Sequence, residues 1–362
     1  MKILLAGGGT GGPVSPVLAV AEEIKKLAPH AHFLFIGTSK GPESGMVAST
    51  GIKFVAITAA KWRRYFSLKN LIAPILLFIG FMQALLIVRR FKPNVLFCAG
   101  GYVAVPVAWA AKIFGCKIVV HQQDVEIGLA NKLIAPLARQ ITTAFEQTSK
   151  EFYAGSGLDS NWQPATWVGN PVRATLFNFK VDAKKYFNLH DELPILLVLG
   201  GATGSVQINQ LISELLSDLV RHFQVVHQTG KSRNHKSFKH PNYHEYELIE
   251  FDPYAAILNL AHLVICRAGL STIAELSALA KTAIVLPLPG THQERNAKIL
   301  ELTHSAVVLT WKSANNANLS RVINNLKFDQ ILAQTLSNNI SKLLKPDAAE
   351  RLAKIVIKHA ES

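Results

Sequence analysis

Twice in this chain a short apolar run gives way to a cluster of glycines and then to a helix-length segment. KILLA (Lys2–Ala6) passes into GGGTGG and Val14–Leu27, and ILLVL (Ile195–Leu199) passes into GGATGS and the stretch beyond. A buried parallel strand needs such a turn to enter the helix that returns across its own sheet. The repetition therefore predicts two similar α/β halves. Around these anchors, strand-length runs alternate with periodic helical stretches: HFLFI, VLF, KIVV and ITTAF in the first half, FQVVH, HLVIC, AIVLP and AVVLT in the second. That alternation argues for βαβ units and parallel sheets, with helices expected near 271–280, 292–303 and 347–358. VGNPVR, at 168–173, holds a Gly-Asn-Pro turn that breaks the pattern and reads as an interdomain hinge. The expected domains are 1–169 and 170–344, with the helix at 345–362 folding back on the first.

Composition agrees with a globular reading. The chain has 362 residues, enough for two domains, and its 49% hydrophobic and 17% charged residues exclude disorder. Lys and Arg number 38 against 24 Asp and Glu, a net charge of +14, which implies an anionic partner. The basic residues are scattered apart from short clusters (Lys61, Arg63, Arg64; Arg89, Arg90), and no nucleic-acid module accompanies them. A membrane surface or a phosphorylated ligand is expected rather than nucleic acid. Cys98, Cys116 and Cys266 lie far apart without a CxxC, so neither a disulfide framework nor a zinc knuckle is indicated, and a reducing cytoplasm is expected. The apolar run in MKILLAGGGTGG is too short for a signal peptide.

One segment, LIAPILLFIGFMQALLIV at 71–88, is an uncharged run of 18 residues flanked by Lys69, Arg89 and Arg90, at the lower limit for crossing a bilayer. A spanning helix would split a βαβ domain across the membrane, and Pro74, Gly80 and Gln83 weaken it. The expectation is a crossover helix packed on the sheet by one face. Its other face, with Trp62, Arg63, Arg64, Tyr65 and Phe66 beside it, would dock on an anionic membrane surface.

Gly7, Gly9 and Gly12 satisfy GxGxxG between a strand and a helix, where backbone N–H groups and a helix N-terminus can hold phosphate. The second strand ends FIGTSK with no acid for ribose hydroxyls, which argues against NAD; Ser39 and Lys40 leave only an NADP reading open. Gly200, Gly201 and Gly204 form a second anion site, so two phosphorylated ligands are expected. For either loop alone, a tight turn with no ligand is an equal alternative. Glu275, on the helix after HLVIC, is a carboxylate able to accept from both hydroxyls of a ribose. His292, Gln293 and Asn296, in HQERNA, fall on the first turn of a helix where polar groups can meet a sugar; taken singly, each also suits a cap or a solvated face.

GGGTGG, GGYV (100–103), HQQD..IGLANK (121–132), GNPVR (169–173), GGATGS, CRAGLSTIAEL and HQERNA occur in this order, and together they resemble the MurG family over essentially the whole chain. Its members are cytoplasmic enzymes that transfer N-acetylglucosamine from UDP-GlcNAc to lipid I in peptidoglycan synthesis. The resemblance implies a GT-B glycosyltransferase: two Rossmann-like α/β domains with parallel sheets across a cleft, acceptor in the first and donor in the second. By position, Glu275 would hold the uridine ribose and Gln293 with His292 would contact the sugar. Arg173 and the second loop (Ala202, Thr203, Gly204, Ser205) would face the nucleotide. Gly9, Thr10, Gly11, Gly12 and Asn131 would lie on the acceptor side, the glycine loop at its pyrophosphate. The family is peripheral on the inner membrane face, and the place of 71–88 matches its docking patch. No cofactor is implied. No D-x-D occurs, so no metal is expected; His235, His240 and His244, in KSFKHPNYHEY, read as a polar surface loop.

The chain departs from the family's pattern at four places. Pro13 stands where the family has histidine, and His121-Gln122-Gln123-Asp124, followed by Glu126, replaces H-E-Q-N. Ala202-Thr203 replaces Ser-Gln, and Ala280-Lys281-Thr282 replaces Gly-x-Pro. These changes are expected to concentrate at the site. Asp124 or Glu126 is the candidate relocated base, with Asp124 capping a helix from about Ile127 as the alternative. Inverting transfer of N-acetylglucosamine to lipid I, forming lipid II, is the leading function. A membrane-associated relative that binds UDP-sugar with altered substrate or no turnover is the alternative, and a UDP-GlcNAc 2-epimerase is the third reading.

Overall fold

The computed structural model describes residues 1–9, 11–39, 41, 43–59, 69–154, 165–201, 204–230 and 238–362. Thr10, Lys40, Trp62 to Phe66, Ala202, Thr203 and His235, all singled out in the sequence, lie outside the described residues. Two compact units are present, Met1–Arg173 with Lys345–Ser362, and Ala174–Leu344.

The first unit is built on seven parallel strands: β1 (Lys2–Ala6), β2 (His32–Gly37), β3 (Lys53–Ala56), β4 (Val95–Cys98), β5 (Lys117–Gln122), β6 (Gln140–Thr143) and β7 (Thr166–Trp167), in the spatial order β3-β2-β1-β4-β5-β6-β7. Its helices are α1 (Val14–Leu27), α2 (Glu43–Ala48), α3 (Lys69–Phe91), α4 (Ala104–Ile113), α5 (Leu129–Ile134) and α6 (Glu146–Ala154). Along a strand, alternate residues supply opposite faces. Ile3, Leu5, Phe35, Val95 and Phe97 pack with α1 and with Leu352, Ala353 and Val356 of the C-terminal helix Ala348–Glu361. Leu4, Ala6, Leu34, Ile36, Leu96 and Cys98 pack on the other side, beneath α3 and α4. Continuous apolar runs are what a strand covered on both faces requires.

In the second unit the order is β10-β9-β8-β11-β12-β13, again all parallel. The strands are β8 (Ile195–Leu199), β9 (Gln224–Gln228), β10 (Tyr243–Tyr246), β11 (Leu263–Cys266), β12 (Ala283–Val285) and β13 (Val307–Val308). The helices are α7 (Ala183–Phe187), α8 (Val206–Leu219), α9 (Phe251–Leu260), α10 (Leu270–Ala278), α11 (Gln293–Leu302), α12 (Asn316–Phe328) and α13 (Gln330–Ser341). β10 corrects the reading of YHEY as loop. It is the edge strand, and Tyr243 alone of its four residues is fully buried, packing into the core with Val225 and Phe223. A strand held by one face and one neighbour carries no apolar run to betray it.

α3 is long and apolar enough to cross a membrane, with a mean hydropathy of 2.1 over Ile72–Phe91, only 22% of which is buried. Ala73, Ala84 and Val88 face the domain. Gly80 belongs to that face, since a Cβ there would run into the Thr58 carbonyl, and Gln83 accepts the Thr58 N–H at 2.7 Å. Two of the residues that weaken a membrane span, Gly80 and Gln83, are thus ones that seat this helix on its domain, while Pro74 is exposed. Ile72, Ile75, Phe78, Ile79, Met82 and Leu86 stay 40–68% exposed on the opposite side.

Candidate active site

In each sheet the chain reverses its direction of growth beside the first strand: between β1 and β4 in one, between β8 and β11 in the other. Ligands of open parallel sheets bind beyond the carboxyl ends of the strands at such a switch. Both glycine turns lie there.

In the second unit, β8 runs into Gly200, Gly201 and Gly204, and Ser205 caps α8 by accepting the Ile208 N–H at 3.3 Å. Gly204 has φ +81°, and a Cβ would run into the Thr229 carbonyl just past β9. The turn is sewn to β9 by Gln228, which donates to the Gly201 carbonyl at 3.3 Å, and by Asn209, which donates to the Thr229 carbonyl at 2.9 Å. Arg267 follows β11. It donates through Nη2 to Ser205 Oγ at 2.6 Å and through Nη1 to Gln207 Oε1 and the Leu286 carbonyl, each at 3.0 Å. Burial lowers its pKa, but a guanidinium stays charged across the working range of pH. A fixed cation therefore stands at the N-terminus of a 14-residue helix, which is an anion site by charge and by dipole.

Glu275, on α10, is 6% exposed. The Tyr254 hydroxyl, from α9, donates to its Oε2 at 2.6 Å. Burial, and then the charge of Glu275, push the Tyr254 hydroxyl well above its usual value, so it remains a donor. Cys266 beside them is pushed up to about 12 by burial and by the same carboxylate. His292 stands at the N-cap of α11, partly exposed, and Gln293 opens that helix with its Oε1 accepting the Leu288 N–H at 3.0 Å. Asn296 is buried and donates to the Ala268 carbonyl at 3.0 Å. The fold thus gathers Gly204, Ser205, Glu275, His292 and Gln293 at the carboxyl ends of β8, β11 and β12. Sequence reasoning missed Arg267 and Tyr254. CRAG, a basic residue directly after a buried strand, was the available signal for the first; nothing local marks the second.

In the first unit, Gly9 has φ +88° and a Cβ there would run into the Tyr102 ring. Its N–H, expected at an acceptor pyrophosphate, instead points to the carboxylate of Glu43 at 3.3 Å. Glu43 is wholly buried at the start of α2 and also accepts the Thr38 N–H at 2.8 Å. The turn closes further on itself, because the Val14 and Ser15 amides both donate to the Gly11 carbonyl. Gly11 and Gly12 are partly exposed, and Pro13 sits at the N-cap of α1.

After β5, Gln122 donates to the carbonyls of Asp124 at 2.7 Å and Glu126 at 2.9 Å, and Asn131 donates to Gln122 Oε1 at 2.6 Å. This holds a tight loop that presents Asp124 and Glu126, both partly exposed. Asp124 is not the cap of the following helix: α5 begins at Leu129, and Gly128 at its N-cap makes no side-chain bond. Asn131 is 4% exposed, and its Oδ1, beside Gly100, is buried with no hydrogen-bond partner among the described residues. His121 lies wholly inside, its ring nitrogens 3.0 Å from Thr142 Oγ1 and 3.2 Å from Asn170 Oδ1, and burial pushes its pKa down to about 4. Arg173 belongs to this unit and is ion-paired there, its Nε 2.7 Å from Glu22 Oε1.

One departure proves remote from the site. Ala280-Lys281-Thr282 joins α10 to the start of β12, at the end of the sheet away from the glycine turn. Lys281 caps the C-terminus of α9, donating to the Asn259 and Ala261 carbonyls, and Thr282 donates to the Ala333 carbonyl at 3.0 Å.

Two parallel α/β units with glycine turns at their switch points define the GT-B class of architecture. The chain matches the glycosyltransferase family 28 N-terminal domain over residues 3–143 and the family 28 C-terminal domain over 195–352, and it belongs to that family. It is a glycosyltransferase. It is 33% identical to the UDP-N-acetylglucosamine–N-acetylmuramyl-(pentapeptide) pyrophosphoryl-undecaprenol N-acetylglucosamine transferase of Listeria monocytogenes, with 99% of each chain covered. The protein of that name from Caldicellulosiruptor saccharolyticus is 33% identical, with 98% of this chain and 97% of that one covered. Among solved structures, MurG of Acinetobacter baumannii superposes with a TM-score of 0.68 at 22% identity, covering 99% of both chains. UDP-GlcNAc 2-epimerase of Neisseria meningitidis bound to UDP-GlcNAc gives 0.72 at 14%, covering 99% of this chain and 100% of that one. At these identities the structures speak for the fold alone.

Proposed function

We propose that this glycosyltransferase moves N-acetylglucosamine from UDP-GlcNAc to lipid I, the undecaprenyl-linked muramyl pentapeptide, and so forms lipid II. The observation that carries the reading is the end-to-end likeness, at 33% identity, to a transferase named for that reaction. The likeness to a 2-epimerase is one of fold, at 14% identity, whereas the likeness to the transferase extends through the sequence.

In this reading the donor lies on the second unit. Glu275 accepts from the ribose hydroxyls, and His292 and Gln293 meet the sugar. The turn from Gly200 to Ser205, with Arg267, takes the diphosphate. As UDP departs, negative charge grows on the bridging oxygen, and a fixed guanidinium at a helix N-terminus stabilises it without reorganising. The acceptor lies on the first unit, with Gly11, Gly12 and Asn131 toward its pyrophosphate sugar and Asp124 or Glu126 taking the proton of the attacking hydroxyl. Glu43 holds the glycine turn in shape by occupying the Gly9 amide. The exposed apolar side of α3, with Arg89 and Arg90 at its end, rests on anionic lipid at the cytoplasmic face of the membrane.

Purified protein with UDP-GlcNAc and a soluble lipid I analogue tests the proposal through UDP release. The reading expects release only when the acceptor is present. Consumption of UDP-GlcNAc without acceptor would favour the epimerase, and saturable binding without turnover would favour a relative that has lost activity.

A further inference from the structure

Glu275 is a carboxylate with little water around it, and a carboxylate in such a place is useful only if its oxygens are aimed. Two side chains from neighbouring elements act on it: Tyr254, which reaches across from α9, and Cys266, at the end of β11, which feels its charge. The tyrosine gives Glu275 a charge-assisted hydrogen bond, at 2.6 Å to Oε2. The hydroxyl is kept protonated by burial and by Glu275 itself, so the bond has one polarity at every working pH. α9 is in turn fixed near the glycine turn: Gln228 accepts the Ile249 N–H just before the helix at 3.0 Å while donating to the Gly201 carbonyl. Tyr254 thus joins the segment that follows β10 to the carboxylate on α10, and both belong to the same rim of the sheet.

We infer that Tyr254 is a positioning residue for recognition of the ribose of a nucleoside diphosphate, acting through the Tyr254–Glu275 hydrogen bond. This rests on the reading of Glu275 as the ribose acceptor. By anchoring Oε2, the tyrosine fixes the plane of the carboxylate, and a fixed plane lets a bidentate contact distinguish a sugar with two hydroxyls from one with a single hydroxyl. Without that bond the plane of the carboxylate has one constraint fewer, and a smaller fraction of its orientations match the diol. Affinity then falls with that fraction. A phenylalanine keeps the ring and its packing and removes only the hydroxyl.

The experiment is titration of UDP and of 2′-deoxy-UDP into the wild-type chain, Tyr254→Phe, Glu275→Ala and the double variant, with thermal unfolding of each measured alongside. The wild type is expected to prefer UDP by about tenfold, the scale of one charge-assisted hydrogen bond. Glu275→Ala should bring the preference close to one. Tyr254→Phe should reduce it about threefold or more with little change in unfolding temperature, and the double variant should match Glu275→Ala. Should Glu275→Ala not fold, Glu275→Asp withdraws the carboxylate by one methylene and serves the same comparison. If removing the carboxylate leaves the preference intact, the ribose reading of Glu275 is wrong and the role of Tyr254 goes with it. If the preference collapses on loss of the carboxylate but survives in Tyr254→Phe, the ribose reading stands and the positioning role is overturned.

Discussion

Asp124 puts a carboxylate where the family resemblance has asparagine, and Glu126 follows two residues on, in a loop that the rest of the structure holds still. Gln122 fixes the carbonyls of both residues, and Asn131 fixes Gln122. With Pro13 unable to accept a proton, one of these carboxylates is the base in our account. Alanine at the correct one should lower kcat by about 10²- to 10⁴-fold with a smaller change in KM; undiminished turnover in both single variants would remove the idea. His121, a few residues away, makes a separate statement about pH. Its pKa falls from 6.5 to about 4 on burial, so between those values the unfolded chain takes a proton that the folded one refuses. Stability from this group is intact above pH 6.5 and is lost as pH drops toward 4, by about 3 kcal/mol in all. Denaturant midpoints measured from pH 7.5 to 4.5 should fall in the wild type, and His121→Gln should flatten that slope. His244, His262 and His359, also lowered chiefly by burial, act in the same direction and leave a residual slope.

Among the elements, α10 ends under strain. Ala280 has φ +51°, a left-handed conformation that a side chain resists, at the place where the family resemblance has glycine. Ala280→Gly should therefore raise stability by about 0.5–1 kcal/mol, read as a higher unfolding midpoint with unchanged UDP binding; a lower midpoint would show that the strain is absent. α3 presents the opposite situation, a helix well seated on one side and bare on the other. Phe78→Glu with Leu86→Glu puts two charges on the bare face, 63% and 68% exposed, and should abolish sedimentation with anionic vesicles while leaving stability within about 0.5 kcal/mol. Equal sedimentation would refute docking through this face. Most of these elements could be read from the chain because strands buried on both faces are apolar runs and glycine turns punctuate them. What escaped was either polar and at an edge, as β10 is, or made by contacts across the chain. Glu43 meets Gly9 from 34 residues away and Tyr254 meets Glu275 from 21. Glu275 itself was visible because its helix follows a plain buried strand; its partner was not, because a tyrosine in FDPYAAILNL looks like any other residue on a helix.

At the scale of the whole molecule, two units of the same design hold two different sets of polar groups at the carboxyl ends of their strands. One set is rich in amides, a guanidinium and a carboxylate suited to a nucleotide; the other holds a self-closed glycine turn and a braced acidic loop. In our account the same design, used twice with different rims, takes two substrates. The measurement that bears most directly on this account is the fate of the sugar. UDP-GlcNAc labelled in the GlcNAc ring is incubated with lipid I in detergent, the lipid product is isolated, and the configuration at its new glycosidic carbon is read by NMR. The account predicts label in the lipid fraction, joined through a β linkage inverted from the α linkage of the donor. Label that stays in water-soluble sugar, or an α-linked product, would contradict it.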